Sequence, residues 1–318
     1  MERLFMQILR ESRRHSVTDL LLKEGEHIHF RIQDEIICGD SKASSELMDW
    51  LFHCLGPQDR VSEDQPGRDS DLAFEENGRY RINRFTSEGR LCACIRIINN
   101  DLPPLEKLGV DPRLPGFIHE QRGLSLVVGK TGSGKSTTMA GIITSLLNTW
   151  PWHIITLEDP IEYRLDSGKG LITQREIGSD FLSFREGIRS ALRQSPDLIM
   201  IGEIRDTSSL RAALDAAESG TGVIATMHSL GAGNTISRIM QMFPGDERDF
   251  IRYQLAANLN FIQSQILKRK EGKLKLDYEL LLGSQAVKNT IAEGSLNQLS
   301  NLILLGKRQG MKSFETMI

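Results

Sequence analysis

An α/β fold with a mostly parallel sheet is what the sequence predicts from about residue 119 onward, preceded by a small α+β unit. Three observations predict it. Apolar strand-like runs alternate with helix-like segments across residues 124–227, the pattern of a sheet covered on both faces. A proline-rich stretch separates that region from an N-terminal part whose alternating runs read as hairpins. Each apolar run of the later region also ends in polar, reactive residues, where open parallel sheets bind their ligands.

The 318 residues suggest roughly two domains. Residues 1–100 form the α+β unit. "HIHFRI" alternates, with Ile28, Phe30 and Ile32 on one face, and "GRYRINRF" and "RLCACIRII" pair across "TSEG" as a hairpin. "NNDLPPLEKLGVDPRLPG" holds four of the ten prolines, so residues 101–118 are read as a linker. Residues 119–318 form the α/β domain. Its strand-like runs are "LSLVV" (124–128), "HIITL" (153–157), "DLIMI" (197–201) and "GVIATM" (222–227). After Phe243-Pro244 the chain reads as mainly helical to its end.

Composition narrows the function classes. At 39% hydrophobic and 25% charged residues, the chain is that of a soluble globular protein. No apolar run approaches the ~18 residues that span a bilayer, and the charged N-terminus does not read as a secretory signal, so a cytosolic protein is expected. The four cysteines, Cys38, Cys54, Cys92 and Cys94, include no CxxC pair, so no zinc site is expected. A net charge of −3 gives no reason to expect nucleic acid as the main partner.

The chemistry gathers at the strand ends. "LSLVV" leads into Gly129, Lys130, Thr131, Gly132, Ser133, Gly134, Lys135 and Ser136, the G-x-x-x-x-G-K-[ST] phosphate loop in its required strand-to-helix setting. Its glycines let backbone N–H groups curl around phosphate oxygens, aided by the helix N-terminus. Lys135 would reach the β- and γ-phosphates, and the Ser136 hydroxyl would ligate Mg²⁺. "DLIMI" ends in Gly202 and Glu203; a carboxylate at the mouth of a buried strand is costly unless something positive meets it. Beside the loop, Glu203 is read as meeting the hydration shell of Mg²⁺ or orienting the attacking water.

"HIITL" leads into Glu158, Asp159 and Glu162, any of which could face the γ-phosphate. "GVIATM" leads into His228, read as a γ-phosphate sensor. With "TSEG" as a four-residue loop, Arg79 would face Arg96 and Arg81 would face Cys94. Like charges so placed call for an anion between them, so Arg79, Arg81 and Arg96 are candidate arginine fingers for a neighbouring subunit's nucleotide. Arg185, Arg189 and Arg193 form a stripe at helical spacing, read as a solvated face.

Taken together, these residues resemble the secretion ATPase superfamily of type II secretion, type IV pili and type IV secretion. "GKTGSGKS" is similar to the family's Walker A, "ITLEDPIEY" to its Asp box, "DLIMIGEIRD" to its atypical Walker B and "TMHS" to its His box. "TQREIGSDFLSFREGIRSALRQSPD" most resembles the pilus retraction (PilT-like) branch. Lys130 departs from the proline usual there, and "AVKNTIAE" matches a C-terminal helix motif of that branch only loosely. The resemblance implies a PAS-like N-terminal domain, a RecA-like motor domain and a homohexameric ring that hydrolyses ATP with Mg²⁺. It assigns catalytic acid roles to Glu162 and Glu203, the His-box role to His228 and intersubunit roles to the three arginines. It also implies pilus retraction in twitching motility, an inner-membrane pilus platform protein as partner, and a place at the inner face of the cell membrane.

Overall fold

The computed structural model describes residues 1–15, 17–32, 35–53, 70–75, 79–98, 102–270 and 273–314. The chain divides into two compact units, Met1–Asp101 and Leu102–Ile318.

The first unit opens with α1 (Glu2–Arg14), whose Phe5, Met6 and Leu9 lie on one buried face. Its first turn carries Glu2 and its last turn Arg13 and Arg14, each sign matched to the helix dipole. Then follow β1 (Asp19–Lys23), β2 (His27–Ile32), β3 (Glu35–Lys42), α2 (Ser45–His53), β4 (Ser70–Glu75), β5 (Arg79–Ser87) and β6 (Arg90–Ile98). The strands form one antiparallel sheet in the order β3-β2-β1-β6-β5-β4. Leu20, Ile28, Tyr80, Ile82 and Ile95 from the sheet bury against α1 and against Leu47, Met48 and Leu51 of α2.

The β5–β6 register differs from the expected one. Ser87 pairs with Arg90 across a two-residue turn in which Glu88 and Gly89 both have positive φ, at 54° and 74°. That is the hairpin geometry that matches strand twist. Arg81 therefore faces Arg96, Arg79 faces Ile98, and Cys94 faces Asn83. A two-residue shift preserves side-chain parity, so Arg81 and Arg96 still share a face. The Arg79 side chain lies outside the described residues, as does Cys54. Cys38 and Cys92 are free thiols.

In the second unit, residues 102–118 are no free connector. They contain a 3₁₀ turn (Leu105–Lys107) and most of α3 (Leu114–Glu120). Leu105, Val110, Leu114 and Ile118 bury in this unit's core, so the apolar residues between the prolines outweigh the prolines' own breaking tendency. The order continues as β7 (Leu124–Val128), α4 (Lys135–Thr149), β8 (His153–Glu158), β9 (Leu171–Glu176), α5 (Phe184–Leu192), β10 (Leu198–Ile201), α6 (Thr207–Glu218) and β11 (Gly222–Met227). It ends with α7 (Ala232–Met242), α8 (Arg248–Asn258), β12 (Leu259–Lys270), β13 (Lys273–Leu282), α9 (Gln285–Ala292) and α10 (Leu299–Leu305).

The sheet order is β13-β12-β7-β11-β10-β8-β9, every neighbouring pair parallel except β12–β13. Every residue of β7, β10 and β11 is buried. Alternate side chains enter two cores: Leu126, Ile155, Ile199 and Ala225 pack with α5, α6, α7 and α8, while Val127, Ile154, Met200 and Ile224 pack with α3 and α4.

Three strands absent from the sequence reading matter for the site. β9 pairs with β8, and the chain beyond Phe243 is not mainly helical. Its β12–β13 hairpin contains the two longest strands of this sheet. β12 buries Gln263, Ser264 and Gln265 completely, so its polar residues point inward and hide the alternation that marks a strand.

Candidate active site

The phosphate loop leaves the carboxyl end of β7. Gly132 and Gly134 adopt left-handed φ values of 77° and 81°, which turn the chain back into α4. Gly129 is required for a different reason: a Cβ there would collide with Ser133 Oγ and the Gln265 carbonyl oxygen. Lys135 Nζ donates to the carbonyl oxygens of Gly129, at 2.9 Å, and Lys130, at 3.1 Å. Burial pushes its pKa down, and the charges of Glu203 and Glu162 offset only part of that, so the net shift is downward and both acids act on the lysine electrostatically.

These residues fit a bound phosphate. No side chain caps the N-terminus of α4, whose N-cap is Gly134. The first-turn N–H groups and the helix dipole are thus available to an anion. Thr131 is exposed at the loop's surface, whereas Ser133 is buried with its Oγ lacking a hydrogen-bond partner. Ser136, in the first turn of α4, is the residue that could hold Mg²⁺.

Glu203 follows β10 and lies between two nitrogen groups. His228 Nε2 is 2.8 Å from its Oε1, and Arg205 Nη2 is 2.7 Å from its Oε2. The other side of the Arg205 guanidinium, Nη1, lies 3.6 Å from Asp159 Oδ2. The bond to Glu203, more than the charge of Asp159, holds the Arg205 pKa above its ordinary value. Gly202 lets this strand end run close to β8: its N–H donates to the Leu157 carbonyl at 2.7 Å, and a Cβ would lie 3.2 Å from that same oxygen. His228 leaves β11, and its carbonyl accepts from Arg238 Nη1 at 2.5 Å.

The Asp-box acids separate by their partners. Glu158 is buried and accepts from Thr156 Oγ1 at 2.6 Å and from Gln174 Nε2 at 3.1 Å, a structural use. Asp159 faces Arg205. Glu162 is exposed, and the adjacent Tyr163 shares a hydrogen bond of 2.9 Å with Thr137 of α4, which ties the acid's loop to the helix that follows the phosphate loop. β9 braces the same loop. Gln174 donates to the Tyr163 carbonyl and accepts from the Leu165 N–H, and Glu176 accepts from the Ile161 N–H.

The carboxyl ends of β7, β8, β10 and β11 thus carry Lys135, Glu162, Glu203 and His228, with direct contact between Glu203 and His228 and charge coupling of both acids to Lys135. Arg79, Arg81 and Arg96 belong to the first unit, where Arg96 Nε donates to the buried Asp19 Oδ1 at 2.9 Å. That carboxylate offsets part of the like-charge opposition of Arg81 and Arg96.

Sequence reasoning missed Arg205, Gln174 and Gln265. An arginine two residues after a strand-end acid was a usable signal, because alternate residues of an extended chain share a side. Nothing local marked the two glutamines; Gln174 acts on the loop just before its own strand, and Gln265 acts on a loop 132 residues away.

The family model for type II/IV secretion system proteins matches residues 3–293. The chain is 39% identical over 250 residues to the type IV pilus retraction ATPase PilT of Pseudomonas aeruginosa, covering 78% of this chain and 73% of that protein. It is 38% identical over 314 residues to the protein YggR of Escherichia coli K12, covering 97% and 95%. The crystal structure of the pilus retraction motor PilT with bound ADP superposes with a TM-score of 0.87 at 34% identity, covering 96% of this chain and 94% of that one. With the four motifs assembled on one sheet edge and a match of this extent, the chain belongs to the type II/IV secretion ATPase family, close to its PilT-like members.

Proposed function

We propose that this chain hydrolyses ATP with Mg²⁺ as a subunit of a homohexamer that drives type IV pilus retraction and hence twitching motility. The observation that carries the reading is Glu203, held by His228 at 2.8 Å and acting electrostatically on Lys135 of the phosphate loop. Lys135 and the α4 N-terminus bind the β- and γ-phosphates. Glu203 orients a water and takes its proton as the water oxygen bonds to the γ-phosphorus. The bond from that phosphorus to the bridging oxygen breaks, and ADP leaves with the electron pair. Glu162 approaches from the Asp-box side, and His228 holds Glu203 while sensing the γ-phosphate. Ser136, and Glu203 through water, would hold Mg²⁺, which when bound would supply positive charge to the phosphate oxygens.

Arg79, Arg81 and Arg96 are proposed to reach a neighbouring subunit's nucleotide and to offset the charge that develops on the γ-phosphate. The proposed domains remain an N-terminal PAS-like unit and a RecA-like motor. The proposed partner is a pilus platform protein of the inner membrane, with the ring docked peripherally at its cytoplasmic face. Among the described residues no helix is long and apolar enough to cross a membrane. Support for retraction comes from the similarity to PilT of Pseudomonas aeruginosa, itself a retraction ATPase.

Gene deletion tests direction of work. Retained or excess pili without twitching is the expected outcome. Loss of pili would instead assign the chain to pilus assembly, and defective protein export with normal pili would assign it to secretion.

A further inference from the structure

The cleft holds two opposite charges that must not neutralise each other. Lys135 has to keep its ammonium for phosphate, yet Glu203 attracts it. Each is engaged by other groups in the structure. Lys135 Nζ donates to two backbone carbonyls, and the Glu203 carboxylate is engaged on both oxygens, by His228 at 2.8 Å and Arg205 at 2.7 Å. The guanidinium keeps its charge at every working pH. The Glu203 side chain is 18% exposed and that of Arg205 62% exposed, so Arg205 reaches in from the surface to an acid that is mostly removed from water. Asp159 steadies its other edge.

We propose that Arg205 is a positioning residue that competes with Lys135 for the Glu203 carboxylate, so that the phosphate-binding lysine is left for phosphate. The inference rests on the nucleotide-site reading above and deepens it. Without the guanidinium, Glu203 swings towards Lys135. The resulting ion pair then blocks the loop to phosphate and withdraws the acid from its place beside His228. Because Arg205 is exposed, its truncation leaves no cavity, and the fold should persist.

The test is binding of a fluorescent ATP analogue, read separately from hydrolysis. R205A should weaken binding about tenfold, the scale of one lost charge-assisted contact. In the E203Q/R205A double variant the neutral amide no longer pairs with Lys135, so affinity should return to that of E203Q alone. R205K should fall between wild type and R205A. A general disturbance of the strand end would not be relieved by E203Q. The inference fails if R205A binds as tightly as wild type, or if the double variant binds as weakly as R205A. Wild-type protein that binds no analogue at all would overturn the nucleotide-site reading itself, and the inference with it.

Discussion

Gln265 of β12 donates its side-chain amide to the carbonyl oxygen of Ser133 at 2.7 Å, joining the C-terminal hairpin to the phosphate loop. The same glutamine accepts from Gln263 Nε2 at 2.9 Å, and both side chains are fully buried. The neighbouring Ser264 and Glu279 accept from the N–H groups of Gly231 and Ala232, where the His-box segment enters α7. One hairpin therefore supports two of the four motifs.

Gln265→Ala should lower stability by about 1–2 kcal/mol, the cost of leaving buried polar groups unpaired, and weaken nucleotide affinity severalfold. Gln265→Glu should be worse, since it sets a buried carboxylate against a carbonyl oxygen. Thermal melts and nucleotide titrations would check the order wild type, Ala, Glu; a Glu variant indistinguishable from wild type would contradict the proposed support.

Lys135→Ala should abolish hydrolysis by removing the phosphate contact. Glu203→Gln should still bind ATP while turnover falls by about a hundredfold or more, the usual scale for losing a proton acceptor. His228→Ala leaves Arg205 holding one carboxylate oxygen, so its loss of turnover should be the smaller one. Single-turnover assays at saturating ATP separate these three.

Gly202→Ala places a methyl 3.2 Å from the Leu157 carbonyl and 3.3 Å from Glu158 Cα, both on rigid backbone. The strand end must shift by a few tenths of an ångström, costing about 1–2 kcal/mol and moving Glu203 with it. A lower melting temperature together with reduced turnover is expected.

Asp197 begins the approach to β10, with Oδ1 2.8 Å from Arg122 Nη2 and Oδ2 accepting from the His153 N–H at 2.9 Å. Burial alone would raise its pKa, but the bonds from Arg122 and His153 outweigh it and the net shift is downward. A carboxyl lowered by folding contributes stability that is complete above its free value of 3.8 and is lost as pH falls through the folded value. Asp197→Asn should thus melt below wild type at neutral pH, and the gap should close as pH drops below 3.8. A gap that is constant with pH would show that the charge is not responsible.

Arg81 and Arg96 face each other across β5 and β6, and Arg96 also pairs with Asp19. If these arginines act across a subunit boundary, Arg81→Ala should slow turnover with little change in nucleotide affinity. Mixing Arg81→Ala and Glu203→Ala subunits should then restore part of the activity, because some interfaces regain both groups. No recovery on mixing would place Arg81 outside the site. Arg96→Ala should also lower stability, since it removes the guanidinium bonded to Oδ1 of the buried Asp19 and leaves Thr18 and Arg31 at Oδ2.

The phosphate loop, Glu203 and His228 stood out as local patterns of a strand followed by a glycine or a reactive residue, whereas the pattern left Glu158, Asp159 and Glu162 open and only the family resemblance selected Glu162. The hairpin arginines were legible as a face but not as a register, since Glu88 and Gly89 close a two-residue turn where a longer one was expected. β9 and β12 were not legible. β9 is a polar strand with no fully buried residue, and β12 buries Ser264 and Gln265 against the start of α7 and the phosphate loop, long-range partners about which a local pattern contains no information.

By itself the sequence determined the α/β class, the two-part organisation and the phosphate-binding chemistry, because short-range periodicity and loop geometry depend on neighbouring residues alone. Tertiary structure decided which carboxylate each cation meets. Glu158 bonds to Thr156 and Gln174, whereas Glu203 lies between His228 and Arg205. Those pairings follow from how parallel strands stack their carboxyl ends, a long-range outcome of packing both faces of the sheet.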